Sequence, residues 1–239
     1  MASAAALIAG AMNGIAGGGS FVSFPALVLV GVPPISANAT NNAAMWVGTL
    51  GSARGFREEI AAQRAILLPI AAVSAVGAVL GALLLLVTPP TLFERMIPWL
   101  LLFATIVFTL SPWLVGRKPQ TPRHSSWQFA VQFCVAVYGG YFGAGMGILM
   151  LAVLAFSGLP NINAANGVKN VLSVVINGVA LVPFALARIV SWPYAVPMAV
   201  MALLGGYFSA RLFRRLHPSV GRAVVITIGF GMTAVFFLR

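Results

Sequence analysis

The sequence predicts an all-α membrane protein with two inverted-topology repeats, each a glycine-broken hairpin, re-entrant or short, followed by three transmembrane helices. Three observations predict it. The chain is 60% hydrophobic and only 7% charged, with mean hydropathy +1.00, whereas a soluble domain carries about 25% charged residues. The chain also repeats itself. At an offset of 128, residues 37–110 pair with 165–238 without a gap, and 15 of the 74 pairs are identical. Matching Asn42/Asn170, Pro69/Pro197, Gly77/Gly205 and Pro90/Pro218 exceeds what apolar composition alone produces. The third observation is the placement of the basic residues, which sets the topology.

Each repeat reads as five apolar segments. Segment one runs over 2–16 and 129–142, and segment two over 20–32 and 147–159. Segment three covers 36–55 and 164–184, segment four 65–87 and 193–213, and segment five 92–114 and 219–238. Segments three to five approach the ~20 residues that cross a bilayer as a helix. Segment two is too short, since 13 residues rise only ~20 Å against a ~30 Å hydrocarbon core. Segments one and two meet at glycine clusters, Gly17-Gly-Gly-Ser20 and Gly143-Ala-Gly-Met-Gly147. Short, Gly-interrupted apolar segments at matching places in two halves point to broken helices at a transport site. The expected boundaries are 1–115 for the first repeat, 116–126 for a cytoplasmic linker and 127–239 for the second.

Charge decides how the repeats face. In the first copy the loop between segments three and four holds Arg54, Arg57 and Arg64, and the linker holds Arg117, Lys118 and Arg123. In the second copy the basic loop is the next one, with Arg211, Arg214, Arg215 and Arg222. Inverted copies put these ten on the cytoplasmic side and three, Arg95, Arg188 and Arg239, outside. Parallel copies split them nearly evenly, so the positive-inside rule favours inversion. Segments one and two then enter and leave on one side, as a re-entrant hairpin; two full short spans satisfy the charges equally well.

The same placement disposes of other readings. A net charge of +11 suggests nucleic acid only where a basic domain exists, and here the charges lie in short loops. No nucleic-acid partner is expected. The single Cys134 lies in an apolar run, which gives neither a disulfide framework nor a thiol metal site. Residues 2–16 resemble a signal h-region, but their counterpart at 129–143 makes them part of the fold.

The polar residues inside the spans are the candidate site. Asn38, Asn41, Asn42, Met45 and Thr49 fall at i, +3, +4, +7 and +11, and so share one helix face. Asn166, Lys169, Asn170, Ser173 and Asn177 repeat those offsets. Lys169 is the one basic residue of fourteen inside a span. An intramembrane lysine costs roughly 2.5–3.5 kcal/mol on insertion scales, so it usually faces a cavity with work to do; the alternative is snorkelling to the surface. The tips Gly18, Gly19, Ser20 and Gly145, Gly147 begin segment two, where free N–H groups and a positive dipole end can take an oxyanion. Close helix packing is the competing reading there, and the preferred one for Gly77, Gly81 and Gly205. The chain has no Asp, and Glu58, Glu59, Glu94, His124 and His217 fall outside the spans. A membrane carboxylate relay and an intramembrane catalytic pair are therefore not expected. Nor is a metal or cofactor.

Asn13-Gly-Ile-Ala-Gly-Gly-Gly-Ser20, Pro25-Ala-Leu27 and Ala37-x-Ala-Thr-Asn41 together resemble the sulfite exporter TauE/SafE family over essentially the whole chain. Gly143-x-Gly-x-Gly147 and Ala165-x-Gly-x-Lys169 fit that family's degenerate second repeat. The resemblance implies a prokaryotic or plant permease for small sulfur-containing anions such as sulfite and sulfonates. A basic residue often follows the first-copy Asn in motifs of this type; Asn42 stands there instead. The expected function is thus transport of a small anion across a cell membrane, by alternating access around a mid-membrane site. An anion channel and a non-transporting structural subunit are the alternatives. The partners are the anion and the lipid bilayer; homo-oligomerisation stays open.

Overall fold

The computed structural model describes residues 1–15, 17–115, 126–154, 157, 159, 161–212 and 218–238. The linker from 116 to 125, the Gly158-x-Pro160 turn and the basic residues Arg214, Arg215 and Arg239 lie outside them. Every regular element among the described residues is a helix. The first half holds α1 (Ala2–Ile15), α2 (Ser20–Leu29), α3 (Pro34–Gly55), α4 (Arg57–Ala62), α5 (Arg64–Val87) and α6 (Pro90–Val115). The second holds α7 (Ser126–Tyr141), α8 (Met146–Leu154), α9 (Ile162–Leu186), α10 (Trp192–Leu212) and α11 (Pro218–Phe237).

The short segments are short helices. α1 has 14 residues, about 21 Å at 1.5 Å per residue. α2 has 10 and α8 only 9, each about half a bilayer core. The turns between them use backbone that L side chains rarely adopt: φ is 78° at Gly17, 77° at Gly143 and 75° at Gly145. α3 opens with Pro34 behind Pro33, a residue whose missing N–H costs nothing in the first turn. α9 opens on Asn161, whose Oδ1 accepts from Ala164 N at 2.9 Å, an N-cap.

One element was not foreseen. The loop expected around Arg54, Arg57 and Arg64 contains α4, with Glu58 and Glu59 in its first turn, where acidic side chains complement the dipole. Fewer helices than expected reach spanning length and apolarity: among the described residues these are 66–87, 90–110 and 162–186. α3 falls short because its asparagines, glycines and serines lower its apolarity while it stays inside the bundle. α5 turns Leu68, Val76, Leu80, Leu83 and Leu84 outward, an apolar exterior that suits lipid.

The halves interlock by exchange. α1 packs on α10 of the other half, and its counterpart α7 packs on α5. Both contacts set one glycine of each helix against the backbone of the other. Gly81 abuts Val137 O and Tyr141 N while Gly140 abuts Ala78; likewise Gly205 abuts Leu7 O and Ala11 N while Gly10 abuts Ala202. A β-carbon at any of these would fall on backbone, so the close approach needs glycine. The equivalent helices α3 and α9 run antiparallel. Ser191 N donates to Thr40 Oγ1, Asn42 pairs with Asn177, and Trp46 meets Gly178 while Phe56 meets Gly167. α6 and α11 are antiparallel too, with Trp99 edge-on to Phe237 at 5.0 Å and Thr105 against Gly229.

Candidate functional site

The two glycine turns meet. A β-carbon on Gly17 would lie 2.6 Å from Gly147 Cα, and one on Gly147 would lie 2.6 Å from Gly17 Cα. Around this contact sits a polar cavity bounded by the start of α2 (Ser20), the start of α8 (Gly147), and the facing ridges of α3 and α9. Asn41, Asn42 and Thr49 come from α3; Ser173 and Asn177 come from α9. Its open space is about 20 Å³, room for a water-sized group.

Each ridge residue holds something particular. Asn38 Nδ2 donates to Tyr141 O at 2.8 Å, taking a carbonyl at the C-terminal end of α7. Asn41 Nδ2 donates to Ser20 Oγ at 3.1 Å, and its Oδ1 accepts from Ser23 Oγ at 2.5 Å. Asn42 Nδ2 donates to Asn177 Oδ1 at 3.1 Å. Asn170 Nδ2 reaches Gly14 O at 3.5 Å. Each of these amides therefore commits an N–H to the protein itself. Asn166 is buried and does not line the cavity.

Lys169 is only 1% exposed and does not snorkel. Its ammonium donates to Asn13 O at 2.8 Å and Gly14 O at 3.4 Å. These are carbonyls of the last turn of α1, which have no partner within their own helix. A cation there also meets the negative end of the helix dipole. Asn38 on α3 does the same for α7 without a charge. The scheme is reciprocal: α9 secures the end of α1, and α3 secures the end of α7.

The cavity gathers Ser20, Asn41, Asn42, Gly147 and Ser173 from the expected set. Gly18, Gly19, Asn38, Gly145, Asn166, Lys169 and Asn170 lie behind or beside it. Gly145 faces Ala104 and Phe21, and Gly19 N donates to Asn13 Oδ1 at 2.8 Å. Asn13 is the residue that sequence reasoning passed over as a site member. It lines the cavity, orders the α2 start through Gly19, and lends its carbonyl to Lys169. Its place just before the glycine cluster was the available signal. Phe142 and Met146 also line the cavity. Phe142 is fixed by Phe24, 5.3 Å away edge-on, and the following turn by Tyr138 Oη donating to Ala144 O at 2.6 Å.

Chemically the site has a polar, uncharged lining, with the Lys169 ammonium held behind it at Asn13 O. No carboxylate lines it, and among the described residues no cluster of three or more His, Cys, Asp or Glu occurs. At the starts of α2 and α8 several N–H groups are already held, Gly19 N by Asn13 Oδ1 and Phe21 N, Met146 N and Ile148 N by nearby carbonyls; Lys169 is one residue away from the cavity through Asn13.

Comparison with known proteins gives consistent matches. The family model described as "Sulfite exporter TauE/SafE" matches residues 2–236. The chain is 32% identical over 235 residues to "Probable membrane transporter protein ORF9" of Sinorhizobium sp, covering 95% of this chain and 88% of that one. It is 28% identical over 230 residues to a "Probable membrane transporter protein" of Haemophilus influenzae, covering 95% and 89%. It is 29% identical over 233 residues to "Probable membrane transporter protein YfcA" of Escherichia coli K12, covering 96% and 86%. No solved structure matches the chain significantly.

Proposed function

Because the chain belongs to the sulfite exporter TauE/SafE family of membrane transporters, we propose that it carries a small anion, a sulfur oxyanion or organosulfonate, across a prokaryotic plasma membrane. One observation carries the anion. A lysine buried to 1% exposure sits beside the cavity with no carboxylate in reach, and an unbalanced charge inside a membrane protein is costly unless it is matched. An anion at the glycine tips matches it, and the starts of α2 and α8 bring their positive dipole ends. Sulfur chemistry rests on the family description alone.

Antiparallel equivalents α3/α9 and α6/α11, together with the exchanged α1/α10 and α5/α7 contacts, support inverted repeats. A two-fold axis in the membrane plane relates such halves, and alternating access follows by rocking one against the other. The narrow, water-sized space favours a carrier over an open channel. Ser20, Asn41, Asn42, Gly147 and Ser173, with Lys169 beside them, are the proposed binding set, and Gly18, Gly19, Asn38, Asn166, Asn170 and Gly145 lie around it.

The test is thermal unfolding of purified protein with sulfite, sulfate, thiosulfate, sulfonates, carboxylates and cations, followed by flux in liposomes. Stabilisation and flux by sulfur oxyanions or sulfonates are expected. Stabilisation by cations only would point to a different transporter class, and no response with no flux would point to a structural subunit.

A further inference from the structure

Four buried side-chain oxygens lack a hydrogen-bond partner among the described residues: Asn42 Oδ1, Gln132 Oε1, Asn166 Oδ1 and Asn170 Oδ1. Asn42 is the one of these that also lines the cavity, and it is 8% exposed. Its Nδ2 is held by Asn177 Oδ1 at 3.1 Å. That bond orients the amide and leaves its acceptor edge without a donor. Buried acceptors that go unpaired are costly, and the cost falls on whatever state leaves them so.

Three kinds of group can satisfy such an oxygen. A metal cation would have to sit beside the Lys169 ammonium and the positive ends of α2 and α8, with no carboxylate lining the cavity; these repel it. A water molecule fits the 20 Å³ space and serves while the site is empty of substrate. When substrate displaces that water, affinity is lost unless the substrate supplies an equivalent hydrogen bond. A bare oxyanion cannot, because it brings only lone pairs to a carbonyl oxygen. An O–H or N–H on the substrate can.

Resting on the anion reading above, we infer that Asn42 selects monoanions that carry their own hydrogen-bond donor: a protonated oxyanion, or a sulfonate bearing N–H or O–H. The anionic oxygens face the glycine tips and the hydroxyl of Ser20, whose Oγ accepts from Asn41 Nδ2 and so has its own proton to give. The donor faces Asn42. One lysine charge matches one negative charge. Such a substrate carries its proton across with it, in a protein whose site holds no carboxylate to relay one.

Sulfamate and methanesulfonate isolate this feature. Both are monoanionic RSO₃⁻ of nearly the same shape, and they differ in an NH₂ against a CH₃. In liposomes with the wild-type chain, sulfamate should bind at least about tenfold more tightly than methanesulfonate, measured by competition and direct flux. In Asn42→Leu the preference should fall to about twofold or less. Equal wild-type affinities, or a preference for methanesulfonate, would overturn the inference while leaving anion transport intact. The wild-type comparison decides even if the leucine variant fails to fold. If neither anion binds, the inference fails, and the remaining anions of the stabilisation series show whether the anion reading fails with it.

Discussion

Lys169 shows what a residue's spacing can and cannot tell. Its place on a polar face with Asn166, Asn170 and Ser173 is legible, because i, +3, +4, +7 spacing shares a helix face. Its partners are not, because Asn13 O lies 156 positions away in the other repeat and backbone carbonyls leave no mark in sequence. The same blindness hid the fact that Asn41, Asn42 and Asn170 each commit an amide N–H internally. The structure therefore gives Lys169→Met two effects. It strips the charged donor from two carbonyls at the end of α1, which should lower stability by about 2 kcal/mol, seen as a lower midpoint in thermal unfolding. It also removes the one positive side chain beside the cavity among the described residues, so anion affinity of the folded fraction should drop at least tenfold. Lys169→Arg should keep part of both, with a fork that fits these carbonyls less well. Unchanged affinity alongside lowered stability would mean the charge serves α1 alone.

At the scale of elements, the glycines separate into those that pack helices and those that shape the tips. The packing role of Gly77, Gly81 and Gly205 was readable from their place in long apolar spans. The contact of Gly17 with Gly147 was not, since nothing local says that two turns far apart in the chain touch. Gly81→Ala and Gly205→Ala place a methyl on the facing backbone, so each should cost about 1–3 kcal/mol of stability with affinity in the surviving protein unchanged. Gly231→Ala, with nothing within 4 Å of its added carbon, is the control and should behave as wild type. Gly147→Ala should instead push the tips apart and impair binding more than folding. A loss confined to stability there would remove the tip contact from the site. The short helix α4 was missed for a physical reason: six residues are fewer than two turns, and its partly apolar face is stabilised by the start of α9 through Ile60 and Phe56, a tertiary effect.

At the scale of the whole molecule the repeat is legible from the aligned asparagines and prolines, and the arginines carry the expectation that it is inverted. The interlocking of halves was not, because exchange of α1 and α7 between repeats needs no sequence marker beyond small residues. The antiparallel run of α3 and α9 makes the inversion testable at two exposed positions. α4 covers the beginning of α9, so Arg57 lies at the end of the bundle where α9 starts. Arg188 follows the other end of α9, at φ 56°, and α9 is 25 residues long, about 37 Å at 1.5 Å per residue. That length exceeds a ~30 Å hydrocarbon core, so the two arginines emerge on opposite faces. With Cys134→Ala as background, single cysteines replacing Arg57 and Arg188 should react with an impermeant thiol reagent from opposite sides. Arg57 should be the cytoplasmic one, because the basic loops gather there. Labelling of both from one side would require α9 to start and finish at the same surface, and neither the inverted repeat nor alternating access about its axis would survive that result.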